Sequence, residues 1–174
     1  MTHAICFSDT QNVTNEYKPQ LHQLEAHHAT LEKRLSACEN GSIFRGHVYR
    51  LSPRQPLDVS RLQNYCLDLG GYLAEVEDKL EYHFVANLVI KSDVFSRENV
   101  NGVVLGAKDL HRDNKFYFLH SEKRMTFFIW ENPKENNFKW DCLALWKGPM
   151  MNDIRCKHSE SSVALCEIPL KQRP

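Results

Sequence analysis

Six cysteines are the residues of this 174-residue chain whose chemistry is easiest to read: Cys6, Cys38, Cys66, Cys142, Cys156 and Cys166. No two stand as Cys-x-x-Cys, so neither a dithiol redox site nor an ordinary zinc knuckle is indicated. An even number of cysteines fits an oxidising compartment, and we expect a secreted, extracellular protein. Two Asn-x-Ser/Thr triplets, at Asn12 and Asn40, are candidate glycosylation sites in that setting. The nine histidines assemble nothing comparable. His27 and His28 are adjacent and diverge on a helix, which makes them and His22 a poor metal site. His47, His83, His111, His120 and His158 are scattered. There is no His-Glu-x-x-His, no Gly-x-Ser-x-Gly and no Gly-rich phosphate loop, and the chain reads as a binding protein, not an enzyme.

Composition narrows the partners. Lys plus Arg and Asp plus Glu are equal at 22 each, so no charge excess points to nucleic acid or to an anionic membrane. No apolar run approaches the roughly 18 residues of a membrane span. The opening Met1-Thr2-His3-Ala4-Ile5-Cys6 lacks the basic-then-apolar order of a secretory leader. The length suits one domain with an appendage, and we divide it into a tail and stalk helix over 1–41, a domain over 42–170 and a short tail over 171–174.

The stalk is read from spacing. Tyr17, Leu21, Leu24, His28, Leu31, Leu35 and Cys38 follow steps of four and three, a heptad seam set among helix-forming Gln, Glu, Lys, Arg and Ala. Pro19 can open the helix and Asn40-Gly41 close it. A helix of about twenty residues is marginal alone. The seam of residues 17–38 therefore predicts a parallel coiled coil, a homodimer or homotrimer; the other reading is a single helix lying on the domain. Cys38 on the seam would meet its symmetry mate, and Cys6 could pair with its own, as interchain disulfides. An antiparallel Cys6–Cys38 pair between chains also fits. An intrachain Cys6–Cys38 bridge must run back along a helix of about 30 Å, which ten extended residues barely span. Protonation of His28 would place like charges in the seam, so the stalk should weaken in acid.

From Ile43 the pattern changes. His47–Leu51 reads as an edge strand ended by Ser52-Pro53. Asp58 should cap a helix through Leu69, with Val59, Leu62, Tyr65, Cys66 and Leu69 inward, and Gly70-Gly71 should stop it. A short strand over Tyr72–Val76 and a second helix over Glu77–Val89 follow, the latter burying Leu80, Phe84, Leu88 and Val85. Strand candidates are 103–106, 115–119, 143–146 and 162–167, with a polar surface loop over 131–137. Helices followed by strands, without strand–helix repetition, give an α+β fold.

These residues resemble the C-type lectin-like domain family across about three quarters of the chain, from Ile43 to Pro169. Tyr65-Cys66 followed by Leu73-Ala74-Glu75-Val76 matches the family's first Cys and its LA-x-[IV] succession. Val104-Leu105-Gly106-Ala107 stands where the family has Trp-Ile-Gly-Leu. Trp130, Cys142, Met151-Asn152-Asp153-Ile154-Arg155-Cys156 and Ala164-Leu165-Cys166-Glu167 complete the series. Arg124-Met125-Thr126 and Trp130 add a fainter likeness to secreted invertebrate lectins such as those of mollusc shell matrix. The resemblance implies a C-type lectin-like fold with two helices, small antiparallel sheets and a long ligand loop, and bridges Cys66–Cys166 and Cys142–Cys156. The optional hairpin bridge is missing, with Val48 at its second Cys.

In sugar-binding members a Glu-Pro-Asn or Gln-Pro-Asp triplet, a Glu before the third Cys and an Asn-Asp pair surround one calcium that also takes the sugar hydroxyls. Here Asn152 and Asp153 are retained, Asn136 and Glu135 fall in the altered triplet, and Trp140 replaces the Glu. Calcium needs six to eight oxygens, so this cage is short of ligands. The auxiliary calcium site of the family would use Asp109, Asp113, Asn137 and Asp141, all oxygen donors; the plainer reading is that Asp109–Asn114 is a charged turn. The resemblance thus implies a multivalent lectin for glycans or glycoproteins, with atypical or absent calcium dependence. The alternative is calcium-independent recognition of a protein or other surface through Phe138 and Trp140, with Trp146 less certain and Trp130 assigned to the core.

Overall fold

The structure is a computed structural model and describes residues 17–29, 31–32, 35, 41–97, 100–131 and 140–170. The chain divides into two units, Met1–Ser36 and Ala37–Pro174. In the first, residues 17–29 form helix α1, as the heptad spacing predicts. Its seam is uncovered in the single chain: Leu21, Leu24, Leu31 and Leu35 are 57, 68, 47 and 61 % exposed. His28 lies 3.6 Å from Glu32, one turn on. Cys6, Cys38, Asn12 and Asn40 lie outside the described residues. Among the described residues, no helix is long and apolar enough to cross a membrane.

The second unit begins with a hairpin. Strand β1 (Ser42–Phe44) and strand β2 (His47–Leu51) are joined by Arg45-Gly46, both at positive φ. Gly46 accepts that conformation without the steric cost a side chain would bring. The hairpin corrects the sequence expectation that His47–Leu51 is an edge: β1 is the edge, and β2 lies between it and β9. Strand β3 (Gln55–Asp58), not anticipated because Ser52-Pro53 reads as a stop, leads into helix α2 (Val59–Asp68). The Asp58 carboxylate accepts the Arg61 amide at 3.3 Å and caps α2, which buries Val59, Leu62 and Cys66 as expected. Strand β4 (Tyr72–Leu73) precedes helix α3 (Lys79–Ser92), whose N-cap Asp78 accepts from Leu80 and Glu81.

Helix α3 is rotated from its expected face. Tyr82, Val85, Ala86 and Val89 are buried together with Glu81, whereas Leu80 is 65 % exposed and Phe84 and Leu88 are half-buried. Apolar residues on nearly every side of α3 leave its periodicity weak, and a polar contact sets the phase. Tyr49 of β2 donates to the Glu81 carboxylate at 2.5 Å, while Phe44 stacks on Phe84 at 4.8 Å.

A short helix α4 (Val94–Arg97) leads to β5 (Gly102–Asp109), β6 (Phe116–Phe118), β7 (Cys142–Trp146), β8 (Met151–Ile154) and β9 (Lys157–Pro169). The strand order is β1-β2-β9-β5-β7-β8, with β3 and β4 also on β9 and β6 on β5. Among the described strands β5 and β9 pair in parallel and the others antiparallel, so the fold is α+β with a mixed sheet. Gly106 is required by close approach: its amide donates to the Ala74 carbonyl at 2.8 Å, and a Cβ there would strike the Leu73 backbone. Two buried clusters result. One, around Val85, Leu105 and Leu145, lies against α3; the other, around Leu62, Val104 and Cys166, lies against α2.

The two bridges implied by the resemblance are formed. Cys66–Cys166 ties α2 to β9 across 100 residues, and Cys142–Cys156 closes 14 residues between β7 and the start of β9. Next to the first bridge, Glu167 is 5 % exposed, accepts from the Tyr72 hydroxyl at 3.1 Å and from the Glu75 amide at 3.1 Å, and faces His47 at 3.7 Å. Burial pushes the Glu167 carboxyl up to about 7; the Glu75 amide opposes that shift and the nearby Glu81 charge adds to it. Burial also raises Glu81.

Candidate ligand-binding site

Strands β7 and β8 pair Cys142 with Ile154, Ala144 with Asn152 and Leu145 with Met151. Alternation along a strand therefore places Ala144, Trp146, Asn152 and Ile154 on one face. Leu143, Leu145, Met151 and Asp153 share the other. The first face packs with Leu57 of β3 in the cluster against α2, and at Trp146 and Asn152 it borders a cleft of about 230 Å³. Leu57, Ile154, Trp146 and Trp140 give it apolar walls, and Asn152, Lys147, Arg155, His158 and Glu160 supply polar groups. Trp146 is fixed against Gly102, where a Cβ would meet the indole ring. The Cys142–Cys156 bridge joins the residue after Arg155 to the start of β7, two residues beyond Trp140, and the Cys156 carbonyl accepts the Val59 amide at 3.0 Å.

Of the residues singled out in the sequence, Trp140, Asn152 and Asp153 are brought together along this cleft. Glu135, Asn136, Asn137 and Phe138 lie outside the described residues. Asn152 is half-exposed and its amide donates to the Glu131 carboxylate at 3.0 Å. Asp153 is buried, 4 % exposed, with its side chain on the core face of β8. Trp130 belongs to the core: it stacks on Phe128 at 5.0 Å and bridges to Met151. Sequence reasoning missed Glu131, Leu57, Lys147, Arg155, His158 and Glu160. Glu131 carried a signal, since it directly follows Trp130 at the mouth of the polar loop. Leu57 and Glu160 carried none, because β3 and β9 meet only in the folded chain.

The oxygen donors implied for the auxiliary calcium site are organised otherwise. Asp109 is buried and accepts the amides of His111, Asp113 and Asn114 at 3.2, 3.2 and 2.8 Å, shaping the turn that follows β5. Asp113 is paired with Lys115 at 2.6 Å, and that hydrogen bond holds its carboxyl below the usual range. Asp141 lies 3.6 Å from Arg112, and its carbonyl accepts the Asp109 amide at 2.8 Å. Asp109 and Asp141 are thus neighbours, but the described carboxylates are committed to amides and cations. Among the described residues no three acid, His or Cys side chains gather as a metal-binding group. At the cleft, Trp140 offers no oxygen and Asp153 faces inward. Glu135, Asn136 and Asn137 lie outside the described residues, so the described donors make up only part of either implied cage.

Comparison with known proteins places this geometry. Residues 55–168, more than half of the chain, match the Lectin C-type domain. The carbohydrate-recognition domain of the mouse scavenger receptor C-type lectin is 18 % identical, covers 78 % of this chain and 98 % of its own, and superposes with a TM-score of 0.60. Human lithostathine is 20 % identical, with 78 % and 92 % covered and a TM-score of 0.63. Herring type II antifreeze protein is 22 % identical, with 76 % and 98 % covered and a TM-score of 0.59. Type II antifreeze proteins described as calcium-dependent and as calcium-independent both share the fold.

Proposed function

The chain belongs to the C-type lectin domain family, and from that premise we propose that it is an extracellular glycan-binding lectin working through the Trp140–Trp146 cleft without calcium at the sugar site. One observation carries the reading: two indoles and the amide of Asn152 converge on a cleft clamped by a disulfide. An indole stacks on the apolar face of a pyranose, and neighbouring amides and charged groups satisfy its hydroxyls. Trp140 at the position of the family's Glu ligand offers no oxygen to calcium, which supports calcium independence. Two related structures illustrate both outcomes for one fold: a cow CD23 domain solved with a GlcNAc2Man3 oligosaccharide, and an antifreeze protein described as calcium-independent.

Multivalency completes the proposal. The uncovered leucine seam of α1 supports pairing between copies of the chain, and linking weak sites raises avidity by orders of magnitude when their spacing fits the target. A glycan array probed in calcium and again in chelator tests the function. Binding in both conditions, reduced at least about tenfold by Trp140→Ala, is the expected result. Absence of any glycan signal in both conditions would sink the reading. Binding seen only with calcium would remove its calcium-independent part.

A further inference from the structure

We propose that Gly102 is a positioning residue for ligand binding: by lacking a side chain it lets the Trp146 indole lie across β5 and form a wall of the cleft. The inference rests on the assignment of that cleft as the glycan site. Gly102 opens β5 and stands directly opposite Trp146 of β7, with Ser162 of β9 opposite it on the other side. Cross-strand partners lie close enough for a large ring on one to cover a small residue on the other. A Cβ at Gly102 would stand 2.8 Å from Cε3 and from Cζ3 of the indole, and 3.6 Å from the Ser162 hydroxyl. The six-membered ring of Trp146 thus occupies the place that any larger residue would fill.

Backbone conformation gives no other reason for a glycine here. Gly46 and Gly70 have positive φ, whereas Gly102 does not. A glycine in a strand costs backbone entropy and forgoes packing, and it marks the close approach of a neighbour. The kind of neighbour differs from site to site. At Gly106 and Gly71 the closest atoms are the carbonyl oxygens of Leu73 and Glu167, fixed parts of the sheet. At Gly102 both atoms nearer than 3 Å belong to the far end of one side chain. The fold can therefore absorb a methyl group at Gly102 by turning the indole; the cleft cannot. The main chain around the ring is already held. The Asn101 carbonyl accepts the Lys147 amide at 2.8 Å, and the Trp146 amide donates to the Met150 carbonyl at 3.3 Å across the turn. With its backbone fixed on both sides, the half-buried indole takes its place from the surface beneath it.

The test compares Gly102→Ala with Trp146→Ala in the full chain, in chelator, on a glycan that the native chain binds. Gly102→Ala should lower affinity about tenfold, close to the loss from Trp146→Ala, and leave the urea midpoint near the native one. Its tryptophan emission should shift to the red as the indole turns into water. That shift should vanish when Gly102→Ala is made together with Trp146→Leu. In the Trp146→Leu chain, Gly102→Ala should cost no further affinity, as expected of a residue that acts through the indole. Native affinity in Gly102→Ala, with Trp146→Ala impaired, would overturn the inference and leave the cleft in place. A further loss from Gly102→Ala in the Trp146→Leu chain, or a loss that only follows a fallen midpoint, would also overturn it. Binding indifferent to both Trp146→Ala and Trp140→Ala would overturn the cleft assignment and this inference together.

Discussion

Glu167 shows how one side chain gives the domain a pH dependence. In the unfolded chain its carboxyl releases its proton near the ordinary value of about 4.5, whereas in the fold burial holds the proton to about 7. A raised folded value means stability is fully present below the unfolded value and is lost as pH rises through the folded one. We therefore expect the urea midpoint to fall between about pH 5 and about pH 8, by on the order of 2 kcal/mol in stability. Glu81, also raised by burial, acts with the same sign. Asp78 and Asp113, held low by hydrogen bonds from Arg45 and Lys115, act with the opposite sign only in stronger acid. The Glu167→Gln variant should flatten the slope above about pH 5; an unchanged slope would show that the proton sits elsewhere.

At the scale of elements, the two bridges have different work. Cys66–Cys166 joins α2 to β9 over 100 residues, and its loss should cost about 4 to 5 kcal/mol in the loop-entropy picture. The 14-residue loop closed by Cys142–Cys156 lies at the cleft, so Cys142→Ser/Cys156→Ser should cost about 3 kcal/mol and weaken glycan binding beyond what unfolding explains. Chemical denaturation and titration of each pair of variants would separate the two effects. Gly106→Ala is a further test of packing. The added methyl meets the Leu73 carbonyl where β4 and β5 approach, and a loss of about 1 to 3 kcal/mol is expected from a denaturation midpoint. The same approach leaves no room for a Cβ at the centre of the Leu105-Gly106-Ala107 run.

For the whole molecule, the exposed leucines of α1 make oligomeric state the decisive quantity. Sedimentation of the full chain should give a dimer or trimer. Non-reducing and reducing electrophoresis would then show whether Cys6 and Cys38 link the copies. A monomer under every condition would remove the stalk and, with it, multivalent avidity.

Much of this was written in local chemistry. The capping of α2 by Asp58, the heptads of α1, the cysteine series and the Asn152-Asp153 pair depend on neighbours a few residues apart or on order along the chain, so they are legible without coordinates. The phase of α3, the interior position of β2 and the composition of the cleft depend on contacts between segments far apart. Glu81 is buried because Tyr49, 32 residues earlier, supplies its partner. Leu57 and Glu160 meet at the cleft because β3 pairs with β9, which no spacing in the sequence encodes. The order of residues determined which elements form and which sulfurs they carry. Tertiary packing alone decided which faces those elements bury, and so which side chains from distant segments meet around the two indoles.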